Sequence, residues 1–368
     1  MIYSINPTKD ATVYSNSSSM NTGLDEILEV AKVMVTSNTQ YLNRALLQFD
    51  ITKFPAADIS GSTAGNRKFY LKLYATEPES LKSEYTINAL PISGSWTMGQ
   101  GKRFNTPITT AGVSWDFRNT LTTTSSNWEE WWYTSASAGY HDGFYGGAWN
   151  DSLTGSLASQ SFVYSTADVN VDVTQMVEDW IAGTYPNSGM VVKYPDSYET
   201  GSNTLSYGTL KFFSKDTNTV YKPKLILKYD DSVTGSGINP AGTLNADDIS
   251  VYMKGLKSQY PVDSVDKIRV IARDRFPAKT FSVTQSQYVS FNYLPTASYY
   301  GVKDAYTGEM IVDYDTDYSR LSSDTSGNYF NFNFGTLFTG RLYKFVVRVD
   351  RGTLTQYYDN DLFFKVVR

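Results

Sequence analysis

The chain is expected to fold as an all-β protein of two β-sandwich-like domains, with one short helix in the first. Three observations lead there. Apolar and polar residues alternate with a period of two in segments such as 41–50 (YLNRALLQFD) and 69–74 (FYLKLY), as in strands with one buried face. Clusters of Gly, Ser and Asn, the residues that make turns, separate these segments. The stretch with helical spacing is confined to a few turns within residues 169–194.

Asp10-Ala11-Thr12-Val13 opens the first strand, and a second carries Leu28-Glu29-Val30. Segment 41–50 places Ala45, Leu47 and Phe49 on one face and Arg44 on the other; segment 69–74 turns Phe69, Leu71 and Leu73 inward. Residues 106–161 lack periodicity and are expected to form long loops. Next comes VNVDVTQMVEDWIAGTYPNSGMVVKY, residues 169–194. Asp172 and Gln175 have capping-box spacing, in which the carboxylate accepts a free helix N–H and Gln175 reaches back. Val173, Met176, Val177, Trp180 and Ile181 share one helical face, and Gly183 can adopt the left-handed conformation that ends the helix. A turn at 186–189 (PNSG) leads into a buried strand at 190–194, and strands at 209–214 and 224–229 complete a domain spanning residues 1–230. Residues 231–247 (DSVTGSGINPAGTLNAD) read as a linker. Residues 248–368 form the second domain, with three related strands, KIRVIARDR (267–275), YKFVVRVDR (343–351) and FFKVVR (363–368).

Composition narrows the function. With 32 basic and 37 acidic residues the net charge is −5, and no basic stripe favours nucleic acid. The absence of cysteine removes disulfides, zinc-thiolate sites and thiol nucleophiles. No apolar run approaches the ~18 residues of a membrane span. The start, MIYSINPTKDATVYS, lacks a basic segment followed by an apolar one, so no ordinary secretory signal is expected. Abundant Tyr, Ser, Thr, Asn and Gly suit an extracellular or particle-surface β protein. A virus particle protein, made in the host and released by lysis, reconciles that composition with a missing signal; a signal already removed reconciles it equally.

Several motifs together resemble the DNRLRE-domain family, β-sandwich modules related to carbohydrate-binding modules. They are Asp10-Ala11-Thr12-Val13, Leu28-Glu29-Val30, Asn43-Arg44-Ala45-Leu46-Leu47-Gln48-Phe49-Asp50, Trp96 with Gly99 and Gly101, Val113-Ser114-Trp115, the block from Asp172 through Gly189, and Pro223-Lys224-Leu225-Ile226-Leu227. Ala31 departs from the family's usual Gly. The resemblance covers residues 1–230 and implies a rigid binding or spacer module rather than an enzyme. The second domain resembles β domains of structural proteins of tailed bacteriophages, through Asp266 to Pro277, Tyr299-Tyr300-Gly301-Val302-Lys303-Asp304 and Gly327-Asn328-Tyr329-Phe330.

The densest aromatic segment holds Trp128, Trp131, Trp132, Tyr133, Tyr140, Phe144, Tyr145 and Trp149. It reads in three ways: a glycan platform, because aromatic faces stack on sugars; an interface with a neighbouring subunit; or a loop packed on its own sandwich. The basic strands offer Arg269, Arg273, Arg275, Arg348 and Arg351 either as a solvated sheet face or as a dock for an acidic partner. Arg44 is expected to make a structural ion pair or a backbone contact. His141 beside Asp142 lacks an accompanying nucleophile motif and is not expected to be catalytic. Asp313, Asp315 and Asp317 have alternating spacing, but Tyr318 and Asp324 stand where a calcium loop wants Gly and Glu, so a solvated turn is expected. No catalytic residue, metal or cofactor is expected. The sequence therefore points to a non-enzymatic bacteriophage virion structural protein, in a head, neck, tail or fibre position. Other virion proteins and copies of itself would be its partners, with a host surface glycan as a further contact and no nucleic acid or membrane. The alternative is a secreted or cell-surface carbohydrate-binding adhesin.

Overall fold

The computed structural model describes residues 1–36, 39–56, 59, 65–120, 129–131, 145–149, 157–163, 168–233, 249–275, 293–352 and 354–368. The protein is nearly all β, with 49% strand and 8% helix, and its strands form several sheets, as the alternation predicts. It divides into two compact units, Ser4–Leu227 and Met1–Tyr3 together with Lys228–Arg368. Of the expected linker, residues 234–247 lie outside the described residues.

The strands of the first sheets are β1 (Ile2–Ile5), β2 (Lys9–Tyr14), β3 (Ile27–Thr36), β4 (Thr39–Gln48), β5 (Arg67–Leu73), β6 (Glu84–Pro91), β7 (Phe117–Asn119), β8 (Glu129–Glu130), β9 (Ala158–Val163) and β10 (Val169–Asp172). Helix α1 (Thr174–Ala182), strand β11 (Met190–Lys193), helix α2 (Asp196–Glu199) and strands β12 (Gly208–Phe213) and β13 (Lys224–Tyr229) follow. One sheet runs β1-β13-β5-β10; the other runs β12-β3-β4-β11-β6-β9 with β2 added along β4; β7 and β8 form a small ribbon.

β5 alternates as expected, with Phe69, Leu71 and Leu73 fully buried. β4 does not. Ala45, Leu46 and Leu47 are all inaccessible, so this strand is covered on both faces. The second cover comes from the described residues of the connection between β6 and β9. It brings Trp96, Val113, Trp131, Ala148 and Trp149 onto Ala11, Val13, Leu46, Leu90, Ile92 and Val191. Buried Asn21 pins this layer in place. Its amide donates to the carbonyls of Met98 and Val113, both at 2.7 Å, and its oxygen accepts from the N–H groups of Gly101 at 2.7 Å and Gly23 at 3.3 Å.

Helix α1 buries Met176, Val177 and Trp180, and Gly183 closes it at φ +72° with its N–H on Asp179 and Trp180, a conformation that costs glycine nothing. The expected capping box is absent. The helix starts one residue later than its spacing requires, with Asp172 still in β10. The Asp172 carboxylate accepts only the Thr174 N–H, at 2.9 Å, and Gln175 reaches forward to Asp179 instead of back.

The second unit holds β14 (Ile249–Lys254), β15 (Gln259–Pro261), β16 (Val265–Asp274), β17 (Ser298–Asp304), β18 (Met310–Val312), β19 (Ser322–Asp324), β20 (Gly327–Asn333), β21 (Leu342–Arg351) and β22 (Leu354–Val367). Two sheets, β14-β16-β20-β19 and β15-β22-β21-β17-β18, enclose an aromatic core. Tyr260 stacks on Phe334 at 4.0 Å, Tyr300 on Phe330 at 4.3 Å and Phe345 on Phe364 at 4.5 Å. β22 begins nine residues before the 363–368 segment that alternation marks, because the mostly exposed residues 354–359 extend the ladder with β21.

Candidate functional site

The covering layer meets the large sheet of the first unit at a cavity of about 420 Å³, lined by residues that include Gln40, Leu42, Arg44, Trp115, Tyr145, Trp149 and Glu199. Sheet register places Arg44 here. In β4 it shares a face with Leu42 and Leu46, opposite Asn43 and Ala45, and is paired with Val13 of β2. Burying a guanidinium is costly unless its charge and donors are satisfied, and here the charge is paired and four of the five N–H groups are bonded. Nε and Nη2 donate to Glu199 Oε2 at 3.2 and 2.7 Å; Nη1 donates to the carbonyls of Tyr145 and Gly146 at 2.9 and 3.2 Å. Trp115 and Trp149 flank the cation, with ring centres 4.7 and 4.9 Å from the guanidinium carbon. Arg44 thus makes both the ion pair and the backbone contacts expected of it.

Lys193 completes the cluster from β11. Its ammonium is fully buried and donates to the Tyr194 carbonyl at 2.8 Å and to Asp196 Oδ1 at 2.5 Å, and it lies 3.1 Å from Glu199 Oε2. The short helix α2 delivers Asp196 and Glu199 immediately after that strand. Gln40 Nε2 donates to the Glu199 carbonyl at 2.6 Å. Two buried oxygens, Glu199 Oε1 and Gln40 Oε1, have no hydrogen-bond partner. Gly146, at φ +87°, lets the backbone pass against the Trp115 ring; a Cβ there would fall within 2.8 Å of three ring carbons.

The structure sorts the sequence candidates. Trp131 is 2% exposed and its indole N–H donates to the Ser114 carbonyl at 2.8 Å; it is a core residue, and Trp131→Ala would report on folding, not on contact. Trp149, 1% exposed, is likewise buried in that layer but also forms cavity wall. Tyr145, 45% exposed, stands at the rim. Trp128, Trp132, Tyr133, Tyr140, Phe144, His141 and Asp142 lie outside the described residues.

The arginines do not gather on one face. Arg269, Arg273 and Arg275 follow β16, whereas Arg348 and Arg351 belong to β21 in the other sheet. Arg269 is engaged by Asp324 at 2.5 Å and Arg348 by Asp350 at 2.6 Å. The Asp313–Asp317 segment is a turn: Asp315 Oδ1 accepts the N–H groups of Asp317 and Tyr318, and Oδ2 accepts Lys228 at 2.9 Å. Among the described residues no group of three or more His, Cys, Asp or Glu side chains could hold a metal ion, and no helix is long and apolar enough to cross a membrane.

Sequence reasoning passed over Lys193, Glu199, Gln40 and, as a site residue, Trp115. A usable signal existed. Arg44 is followed directly by the apolar run Ala45-Leu46-Leu47 and Lys193 ends an otherwise apolar strand, and each demands a buried acid; Asp196 and Glu199 follow Lys193 within six residues.

No family model matches the sequence, and no curated protein does. Among solved structures, a Parabacteroides merdae β-glucuronidase with glycerol in its active site aligns at 9% identity over 82% of this chain and 28% of that one, with a TM-score of 0.17. A Bacteroides uniformis β-glucuronidase 3 aligns at 9% identity over 83% and 28%, with a TM-score of 0.16. The chain thus spans little more than a quarter of either enzyme, and likeness at these scores specifies neither fold nor activity.

Proposed function

We propose that the chain is a non-enzymatic structural protein of a bacteriophage virion that assembles through its β units and contacts a host surface glycan at the Arg44–Glu199 cavity. One observation carries the binding part: the charged groups of the cavity are engaged with one another. A general acid, base or nucleophile must be free to meet substrate. Arg44, Lys193 and one oxygen of Glu199 instead lock strand, helix and covering layer together, giving a rigid aromatic-walled recess suited to recognition. Assembly is supported by β22. Among the described residues, positions 354–359 and 363 have a ladder partner on one side only, and the strand exposes Leu354, Tyr357, Leu362 and Phe363. Such an edge can accept a strand or an apolar face from a neighbour. Placement on a particle rests on the composition and on the resemblance of residues 248–368 to phage structural proteins.

The partly exposed Trp115 and Tyr145 favour a second reading, a secreted or cell-surface carbohydrate-binding adhesin, which shares the recess and differs in location. Immunogold electron microscopy of purified particles from the source culture, with the soluble fraction blotted in parallel, separates the two. Label at one recurrent place on particles supports the virion protein. Label only on cells or in the medium overturns it in favour of the adhesin.

A further inference from the structure

We infer that a second recess of the first unit, a groove along β3 between Phe104 and Tyr41, binds a linear oligosaccharide. Tyr41 and Asn43 lie on the face of β4 opposite Leu42 and Arg44, so the groove is separate from the Arg44–Glu199 cavity and stands without it.

Strand register makes the groove. β3 turns Ile27, Glu29, Ala31 and Val33 to one face. The ladders set Lys211 of β12 beside Glu29, Asn43 of β4 beside Ala31, and Tyr41 beside Val33, with Tyr14 of β2 beyond Asn43. Along β4 this face passes from Leu47 and Ala45, both inaccessible, through Asn43 to the exposed Tyr41, so it emerges from the core into solvent. Two recesses, of about 420 and 170 Å³, meet there and share Tyr14, Glu29, Arg103 and Lys211. Ile27 lines the first and Val33 the second, so together they follow β3 for about 20 Å at roughly 3.3 Å per residue. That length suits several linked rings better than one.

Arg103 stands where the two recesses meet. Its backbone N–H donates to Asp25 at 3.1 Å, its guanidinium pairs with Glu29, and the ring centres of Tyr14 and Phe104 lie 5.1 and 5.6 Å from its guanidinium carbon. The side chain is thus held in place, yet it is 38% exposed. One of its five N–H groups donates to Glu29; the other four have no partner among the described residues. Lys211, also partly exposed, spends one proton on Glu79. Sugar hydroxyl and ring oxygens are acceptors for such donors, and the exposed Glu26 carboxylate accepts hydroxyl protons in return. Phe104, 87% exposed, and Tyr41 mark the two ends and offer aromatic surface on which the C–H face of a sugar ring packs. A peptide could not bind here by extending the sheet, because the outer edge of β12 is taken: Thr76 donates to the Lys211 carbonyl, and Glu79 and Thr209 exchange both backbone bonds at 2.8 and 2.9 Å.

The test uses the full chain on an array of linear glucan, chitin, mannan and xylan fragments, followed by calorimetric titration of the best-binding series from monosaccharide to hexasaccharide. Affinity is expected to climb with chain length and level off once the groove is filled. Phe104→Ala and Arg103→Gln are each expected to weaken the hexasaccharide roughly tenfold, as loss of one good contact does. Both variants are checked for native tryptophan fluorescence; Arg103→Gln strips Glu29 of its cation, whereas Phe104→Ala alters a side chain that is almost wholly in solvent and keeps the test decisive if the other fails to fold. Equal affinity for monosaccharide and hexasaccharide would overturn the extended groove. Hexasaccharide binding that survives Phe104→Ala but is lost on Tyr145→Ala would place the chain in the Arg44–Glu199 cavity and overturn the inference while leaving glycan contact there intact. No binding by any fragment would overturn it as well.

Discussion

Asp10 gives the sharpest energetic prediction. It lies on β2 opposite Leu47 of β4, 1% exposed, and accepts the Lys215 N–H at 2.6 Å. Burial pushes its carboxyl from the ordinary 3.8 up to about 7; the Lys215 amide and charge and Lys222 pull it down, and Asp216 pushes it up. The folded protein therefore keeps this proton to near neutrality, whereas the unfolded chain releases it around pH 4. The resulting contribution to stability is full below pH 3.8 and is lost as the pH rises through about 7. From 3.8 to about 7, at about 1.4 kcal/mol per pH unit, the loss is on the order of 4 kcal/mol. Asp10→Asn retains an acceptor for the Lys215 amide and cannot ionise. The variant should match the wild type within about 1 kcal/mol at pH 4 and exceed it by several kcal/mol at pH 8. Guanidinium unfolding followed by tryptophan fluorescence measures this directly, because all seven Trp lie between residues 96 and 180, inside the first unit. Wild-type and variant stabilities that stay parallel from pH 4 to pH 8 would refute the reasoning, showing that the carboxylate ionises in the folded protein without penalty.

The two units should respond oppositely to acid. Burial also raises Asp25 and Glu29 in the first unit. In the second, burial is outweighed at Asp304 by the N–H groups of Thr307 and Tyr306 and by Arg341, and at Asp315 by Lys228 and two turn amides, so both carboxyls are depressed; their stabilisation is lost as pH falls below the ordinary aspartate range. Between pH 7 and pH 4 the calorimetric transition that coincides with the tryptophan change should rise in temperature while the other holds level, and only below pH 4 should the other fall; concerted movement of both would contradict the assignment. Arg44→Met leaves Glu199 buried with Lys193 as its remaining cation and should cost about 3–5 kcal/mol; adding Glu199→Gln should restore part of that in a double-mutant cycle, and simple additivity would argue against a direct pair. Asn21→Ala removes four hydrogen bonds, three of them buried, worth about 4 kcal/mol at roughly 1 kcal/mol each, and should expose Trp96 and Trp131 to acrylamide quenching before global unfolding. Quenching unchanged from wild type would show that the covering layer does not depend on Asn21.

The all-β class, the strands β5, β11 and β13, and helix α1 with its Gly183 stop were legible because each is written in local terms: a period of two or 3.6 and a residue able to take positive φ. The helix start was misread by one residue, since Asp172 could serve as cap or as strand end and only the ladder of β10 with β5 chose between them. The cavity was not legible. Arg44, Trp115, Trp149 and the near neighbours Lys193 and Glu199 are brought together from four separate stretches of chain, and no periodicity links them. The same holds for the aromatic segment: its composition suited an exposed platform and a buried layer equally. Trp131 is interior because Ser114 accepts its indole N–H and because Trp96, Val113, Ala148 and Trp149 pack with it over a sheet face that the alternation in β4 had marked as polar. Local order follows from each residue and its near neighbours. Which faces are covered, and which buried charges meet, follows only from packing distant segments to a common interior, where every unpaired charge is penalised.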